Sequence, residues 1–405
     1  MIVAYRCAVC GTVIDVVTPL PWKCPNASPA DPYHVLHLVE AGEPSPLFDD
    51  RNPIVRYARR SAWWAFARAN GIDEHDCVAL AREWATGFEV TPFARSDHLS
   101  GVLDLDIWVK DETANVAGSH KARHLIGILL HLAAAEQLGL LEQRPPLAIA
   151  SCGNAAIAAA TLAARAGWPL DVFVPDWMGE SVGDMLTRLG ARIHRCERRP
   201  DDPAGDPAML RFREAVAAGA VPFSVQGPEN ALCLDTGRTL GFELADQVAE
   251  VDPQRSGWRI VVQVGGGALA ACTGRGAGPQ LRLDTVQAEG CAPLAETWER
   301  IGEIDNPARY WPQVMRPWPA PHSVADGILD DETYDWIADV GVMVESGGRP
   351  IVASEADIVR AHQLATDAGF DVSPTGSAGL AGVLALGGEL RRSDHLVVVM
   401  SGVAR

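Results

Sequence analysis

Positive charge is in short supply: 34 Lys and Arg stand against 52 Asp and Glu, a formal net charge of −18. A surface of that sign repels nucleic-acid phosphates and anionic lipid heads, so neither nucleic acid nor a membrane is an expected partner. Long hydrophobic runs are lacking as well. The most apolar stretch, Leu125 to Leu141, is interrupted by His131, Glu136 and Gln137 and is too short to span a bilayer. The first residues, Met1 to Cys7, show no charged leader followed by an apolar core and a cleavage site, which makes the cytosol the expected compartment. Nor is there a paired cysteine framework. The nine cysteines are an odd number scattered along the chain, a pattern of reduced thiols rather than disulfides. Internal repeats and low-complexity tracts are missing too.

What is present is length and alternation. A chain of 405 residues exceeds one ordinary core, so two or more lobes around a cleft are expected. Strand-like runs at Ile107 to Val109, Leu147 to Ala150, Leu170 to Val174, Arg192 to His194, Arg259 to Val264, Asp284 to Ala288 and Leu396 to Met400 alternate with helical patterns. That order implies an α/β fold of parallel sheets covered by helices, entered at Thr91-Pro92-Phe93. Before it lies a leader from Pro44 to about Glu89, rich in Arg and Trp, with helical spacing over Ile54 to Ala69 and Asp76 to Ala85 and no visible chemistry. The tryptophans, Trp63 and Trp64 among them, read as packing residues. Asp201 to Pro207 reads as a solvated loop.

At the front, Cys7-x-x-Cys10-Gly11 followed by Cys24-Pro25 reads as a zinc-ribbon-like knuckle holding three of the four ligands that a tetrahedral structural site needs. His34, His37 or Cys77 could supply the fourth. The alternative is a metal-free remnant whose cysteines pack as small hydrophobes.

Four further runs carry chemistry. Gly118-Ser119-His120-Lys121-Ala122-Arg123 follows the first strand and opens the apolar helix Leu125 to Ala135. A lysine there is half desolvated and near backbone N–H donors, so its ammonium is disfavoured and the free amine can hold a carbonyl cofactor. Ser151-Cys152-Gly153-Asn154-Ala155 sits between a strand and an alanine-rich helix, a turn whose amides suit a carboxylate. Val264-Gly265-Gly266-Gly267-Ala268-Leu269 follows another strand, and its glycines let the chain aim successive N–H groups at a phosphate. The last strand delivers Ser401-Gly402 at its carboxyl end, where open α/β sheets bind ligands.

In this order, with Pro374-Thr375-Gly376-Ser377-Ala378-Gly379 between the third and fourth runs, the chain from roughly Phe88 to Arg405 resembles the fold-type II pyridoxal-phosphate enzymes: serine/threonine dehydratases, threonine synthases, serine racemases and tryptophan synthase β-chains. The resemblance implies a two-lobed parallel-sheet fold with the small zinc-ribbon-like module in front, as threonine synthases and their relatives often have. Its divisions are residues 1–40 for that module, 41–90 for the helical leader, 119–231 for a small substrate-binding lobe, and 91–118 with 232–405 for a large cofactor-binding lobe. It implies pyridoxal 5′-phosphate as cofactor, zinc in the knuckle, a small amino acid as substrate and a homodimer.

Residue by residue, Lys121 takes the cofactor-bearing role and shuttles the substrate α-proton. Asn154 binds the cofactor's phenolic oxygen; Ser151, Cys152, Gly153 and Asn154 form the substrate-carboxylate turn; Gly265, Gly266, Gly267, Ala268 and Leu269 hold the phosphate; Ser401 faces the pyridine nitrogen. A hydroxyl there cannot protonate the ring as a carboxylic acid could, which favours prompt loss of a side-chain leaving group over transamination. Cys152 stands where serine racemases place an acid/base serine, and its thiol could exchange a proton if the helix terminus lowered its pKa. His120 replaces a phenylalanine common in dehydratases and reads first as a packing residue.

The glycine loop, the segment Ser323-Val324-Ala325-Asp326-Gly327 and the terminal Ser-Gly resemble dehydratases, and Ala122 stands where threonine synthases usually have Asp. The knuckle and leader resemble threonine synthases. Ser373 departs from the acidic residue of the dehydratase pattern, and Val403 or Ala404 from its terminal asparagine. The first expectation is β-elimination (deamination) of a small hydroxy amino acid such as serine, threonine or a β-hydroxylated relative. The alternative is a threonine synthase-like replacement enzyme; the third is a catalytically silent cofactor-binding protein.

Overall fold

A computed structural model describes every residue except Pro44, Ala204 and Glu303. Pro44, the expected start of the leader, and Ala204, inside the expected solvated loop, therefore lie outside the described residues.

Two sheets carry the body. A six-stranded sheet runs, from edge to edge, through Pro350–Ala353, Arg282–Ala288, Trp258–Gln263, His395–Met400, Asp106–Asp111 and Phe93–Arg95. All neighbours are parallel except the last pair, where Phe93–Arg95 runs antiparallel to Asp106–Asp111. The expected all-parallel pattern thus gains one antiparallel edge. Three residues after a proline are too few for alternation to register, and an edge position tolerates the missing donor of Pro92. The second sheet is four-stranded and parallel, in the order Arg192–Cys196, Leu170–Pro175, Leu147–Ala150, Val221–Pro222. Its central strands are buried along most of their length, as their largely apolar runs require, with Asp171 the one charged residue in them.

The helix Lys121–Gln137 packs among the helices Ala62–Ala69, Glu74–Trp84, Asn154–Ala166 and Cys233–Thr236, and every residue from Ala122 to Ala135 is buried. It begins at Lys121, four residues before the apolar run that announced it. A helix buried all round is a core helix, and even the polar Arg123 and His124 of its first turn are buried.

The leader forms three pieces rather than one long helix: Pro53–Arg56, a single tight turn Ala58–Arg60, and Ala62–Ala69. Ser61 is extended there. The Ala62 N–H donates to Asp235 Oδ2 at 2.7 Å, so a carboxylate 173 residues away caps the new helix. Local periodicity cannot register such a cap. The second leader helix, Glu74–Trp84, is capped in the ordinary way by Asp73, whose side chain accepts from the Asp76 N–H. The first forty residues form a three-stranded antiparallel sheet, Val13–Asp15, Ile2–Cys7 and Leu36–Glu40. No helix among the described residues is long and apolar enough to cross a membrane.

Candidate active site

The terminal strand organises the site. His120 N–H donates to the Ser401 carbonyl at 3.0 Å and Val403 N–H to the Gly118 carbonyl at 3.0 Å, while Ser119 pairs with Gly402. On the other side, Ser401 N–H donates to the Gly376 carbonyl and Ser373 N–H to the Gly402 carbonyl. Gly376 is needed for that approach, since a Cβ there would lie 2.4 Å from the Gly402 oxygen. Asn154, opening the helix Asn154–Ala166, brings its Nδ2 to within 2.9 Å of where a Cβ on Gly402 would sit. The lysine run, the Ser151–Asn154 turn, the Pro374 run and Ser401-Gly402 therefore meet. The segment from Ser323 to Gly327 joins them, with Gly327 N–H donating to Thr375 Oγ1 at 2.9 Å.

Burial disfavours the ammonium of Lys121, with the Asp330 and Asp335 carboxyls opposing the shift. The adjacent Ser119 Oγ is fully buried without a partner. Ser401 Oγ accepts from Gln263 Nε2 at 2.7 Å, and the same amide donates to the Gly376 carbonyl at 2.8 Å. Because Gln263 fills an acceptor position of the hydroxyl, the Ser401 O–H is left to donate elsewhere. Asn154 Oδ1 accepts from Arg405 Nε at 2.8 Å, which fixes the amide so that Nδ2 is its free end. Ser151, Cys152 and Gly153 are half-buried, and Ser151 Oγ accepts from the Gly153 N–H at 3.3 Å. Burial pushes the Cys152 thiol up rather than down, so the helix terminus does not make it a thiolate. His120 is buried with Nδ1 at 3.2 Å from His124 Nε2. The Cys233 carbonyl, 2.9 Å from His124 Nδ1, can only accept; this sets His124 Nδ1 and His120 Nδ1 as the protonated atoms.

The glycine loop follows Trp258–Gln263 and opens the helix Ala268–Ala277. The N–H groups of Gly265, Gly267, Ala268 and Leu269 have no acceptor among the described residues, and Gly267 adopts φ 106°, which glycine alone takes without strain. Free donors at a helix N-terminus fit a phosphate, and a desolvated amine beside them fits a carbonyl-bearing cofactor. One feature opposes the fit: Asp330, Asp335 and Asp339 press on the same loop.

Arg123, two residues past Lys121, does not face the cleft. It is 1% exposed, binds Glu112 through two N–H···O bonds of 2.8 and 2.9 Å and Glu243 at 2.6 Å, while Lys110 donates to Glu243 at 2.6 Å. Gln263, Glu112, Glu243, Arg405 and the three aspartates were not legible as site-forming residues. A polar residue ending an apolar strand was the one signal, and it marked Gln263 only.

In the N-terminal module, Cys7, Cys10 and Cys24 come together with His34, all four ligand atoms lying within 4.8 Å of one another. His34 Nδ1 is 3.3 Å from Cys7 Sγ, and its Nε2 is 3.3 Å from Asp31 Oδ2. Of the three residues open for the fourth position, His37 and Cys77 are not in this group.

Residues 85–402 match the family model described as pyridoxal-phosphate dependent enzyme. Among curated proteins, the chain is 26% identical over 328 residues to a threonine synthase of Methanosarcina acetivorans, covering 77% of this chain and 74% of that one. It is also 26% identical over 325 residues to a threonine synthase of Mycobacterium tuberculosis, covering 77% and 80%. Among solved structures it is similar in fold to a threonine deaminase from T.th., with TM-score 0.63, 22% identity, and coverage of 82% of this chain and 98% of that one. A maize serine racemase gives TM-score 0.61, 20% identity, and coverage of 82% and 93%. With the family model spanning most of the chain and the ordered motifs present within it, this protein belongs to the fold-type II pyridoxal-phosphate dependent enzymes.

Proposed function

We propose that the protein is a pyridoxal-phosphate-dependent lyase that eliminates water from a small, unphosphorylated hydroxy amino acid and releases a keto acid and ammonia. The observation that carries this reading is the charge around Lys121. The ionisable side chains that act on it most strongly are the Asp330 carboxyl, the Cys233 thiol and the Asp335 carboxyl; the guanidinium of Arg123 is consumed by Glu112 and Glu243, and that of Arg405 donates to Asn154 Oδ1 and the Ala117 carbonyl. A replacement reaction on a phosphorylated side chain needs a second anion pocket with several charge-assisted donors. Elimination of a hydroxyl does not.

In this reading Lys121 holds the cofactor, the free N–H groups of Gly265, Gly267, Ala268 and Leu269, with that of Gly266, bind its phosphate, Asn154 Nδ2 meets its phenolic oxygen and the Ser401 hydroxyl donates to its ring nitrogen. The cofactor supplies an electron-withdrawing ring that acidifies the substrate Cα–H. The Ser151–Asn154 turn holds the substrate carboxylate and so fixes which face of Cα meets Lys121. With the substrate's amino group in its place on the cofactor, the freed Lys121 amine would take the α-proton and return a proton to the departing hydroxyl, so water would leave without a second base. The remaining enamine tautomerises and hydrolyses to keto acid and ammonia. Gln263, by occupying an acceptor site on Ser401, keeps that hydroxyl pointing as a donor.

The test is to incubate the loaded enzyme with serine, threonine and β-hydroxylated relatives, measuring ammonia and keto acid. Turnover of none of these, with threonine formed from phosphohomoserine, sinks the reading in favour of a threonine synthase-like replacement. The names of the curated relatives favour that second reading.

The same proposal keeps residues 1–40, 41–90, 119–231 and 91–118 with 232–405 as module, leader, small lobe and large lobe, and a homodimer as the assembly. It places a structural zinc on Cys7, Cys10, Cys24 and His34. Asp31 beside His34 Nε2 is the outer carboxylate that orients a metal-bound histidine.

A further inference from the structure

The carboxyls against the glycine loop are not used by the chemistry above, and their placement is unusual for a phosphate site. A Cβ on Gly265 would lie 2.5 Å from Asp330 Oδ2, and one on Gly267 would lie 2.4 Å from Asp339 Oδ2 and 3.0 Å from Asp335 Cβ. Asp335 is 1% exposed and accepts from the Gly227 N–H at 3.1 Å. Asp339 is fully buried, and neither of its oxygens has a partner. A phosphate dianion on this loop would share a water-poor space with three groups able to carry its own sign. Like charges this close, with little water between them, repel strongly. Nearby cations do not offset this: Arg123 is held by Glu112 and Glu243, Arg238 by Asp235 and Glu40, and burial disfavours the Lys121 ammonium.

We propose that Asp330 and Asp335 act as cofactor-phosphate ligands in their neutral, protonated form, so that phosphate binding draws protons from solvent onto these two carboxylates. The inference rests on the cofactor reading above. Each step forms one O–H bond with a solvent proton and breaks none in the cofactor; the new hydroxyl donates to a phosphate oxygen. Asp339, which comes nearest Gly267 but is fully buried with neither oxygen partnered, stays neutral throughout. The groups facing Asp335 are Lys121, Asp330, Asp339, Cys233 and Cys272, and those facing Asp330 are Lys121, Asp331, Asp335, Tyr334 and Cys291. Burial already pushes Asp330 up to about 6 and Asp335 up to about 7, with Lys121 opposing in both, and raises Asp339 well above the ordinary range. A bound dianion pushes the first two further in the same direction.

The experiment compares pyridoxal phosphate with pyridoxal, which shares the aldehyde and its reaction with Lys121 but lacks the phosphate. Their affinities for the full-length apo-protein are titrated between about pH 7.5 and 9, above the second ionisation of a phosphate monoester near 6. The ratio favouring the phosphorylated form is expected to fall about tenfold per pH unit for each proton taken up. Titration calorimetry at pH 8 in buffers of different ionisation enthalpy should show proton uptake with pyridoxal phosphate in excess of that with pyridoxal. Asp335→Asn, which keeps a donor without a charge, should lose about one proton of that slope and gain affinity at pH 9, and Asp330→Asn should do likewise. A pH-independent ratio with equal proton release overturns the proposal while leaving the cofactor assignment intact. So does an affinity that depends on K⁺ or Na⁺ at constant ionic strength instead of on pH, because a metal cation would then neutralise the carboxylates. Failure to bind either compound overturns both readings.

Discussion

Replacing Arg123 by Met tests the buried charge network that anchors the lysine run. Four groups, Arg123, Lys110, Glu112 and Glu243, are each no more than 1% exposed at the side chain, and their two positive and two negative charges cancel. Arg123 also donates to Thr239 Oγ1 at 3.0 Å, and Lys110 to the Thr91 carbonyl and Gln247 Oε1, both at 2.8 Å. The substitution leaves two buried carboxylates against one ammonium. Removing one partner of a buried pair costs about 3–5 kcal/mol, because the charge left behind is uncompensated. At about 2–4 °C per kcal/mol for domains of 150–250 residues, that is a fall in melting temperature of roughly 6–20 °C. Calorimetric scans of the wild type, Arg123→Met, Glu112→Gln and the double variant form a cycle. The double variant restores neutrality with Lys110 and Glu243 still paired, so it should be more stable than Arg123→Met alone. A single variant melting within 2 °C of the wild type, or a double variant whose losses simply add, would refute the network argument. Selective loss of affinity for an anionic side chain at unchanged stability would instead make Arg123 a substrate ligand.

Ser401→Ala should retain the cofactor yet turn over more slowly, since one neutral hydrogen bond is worth about 0.5–1.5 kcal/mol and Gln263 keeps its bond to the Gly376 carbonyl; loss of the cofactor on gel filtration would contradict this. Gly267→Ala should weaken cofactor binding far more, because φ 106° costs a side chain about 1–3 kcal/mol and the new methyl meets Asp339; an affinity equal to that of the wild type would misplace the loop. Borohydride reduction followed by peptide mapping should put the label on Lys121, and a label on Lys23 or Lys110 would move the site. Elemental analysis of protein prepared without chelator should give one zinc per chain, reduced in His34→Ala; a ratio near zero with no effect of chelator on stability would make the knuckle a metal-free remnant. In acid, Glu112, held down to about 2 by Arg123 against its burial, contributes stability that is complete above its ordinary value of 4.5 and is lost as pH falls toward 2. Arg123→Met should therefore flatten that part of the acid unfolding curve.

What could be read from the chain depended on how far apart the cooperating residues lie. The parallel strands Leu147–Ala150 and Leu170–Pro175 announce themselves because burial on both faces demands largely apolar runs, broken in the second only by Asp171, and the glycine loop because an unusual backbone demands an unusual residue. The short edge strands Phe93–Arg95 and Val221–Pro222 carry no such demand. The break in the leader at Ser61 was invisible because its cap is Asp235, brought in by tertiary packing.

The same distinction runs through the site. Lys121, Asn154 and Ser401 were singled out because each lies in a short run whose order and spacing are informative. Gln263, Arg405, Asp330 and Asp335 act on those runs from elsewhere in the fold, and only their contacts single them out. In the knuckle, the cysteine spacing singled out three cysteines and left His34, His37 and Cys77 open, and only the folded chain shows that His34 is the one beside Cys7. Short motifs can mark the groups that touch a cofactor, but the fold decides the charge those groups meet. The proton balance at the glycine loop therefore follows from a segment more than sixty residues beyond it, and carboxyls there can reverse the pH dependence that the loop's own N–H groups would suggest.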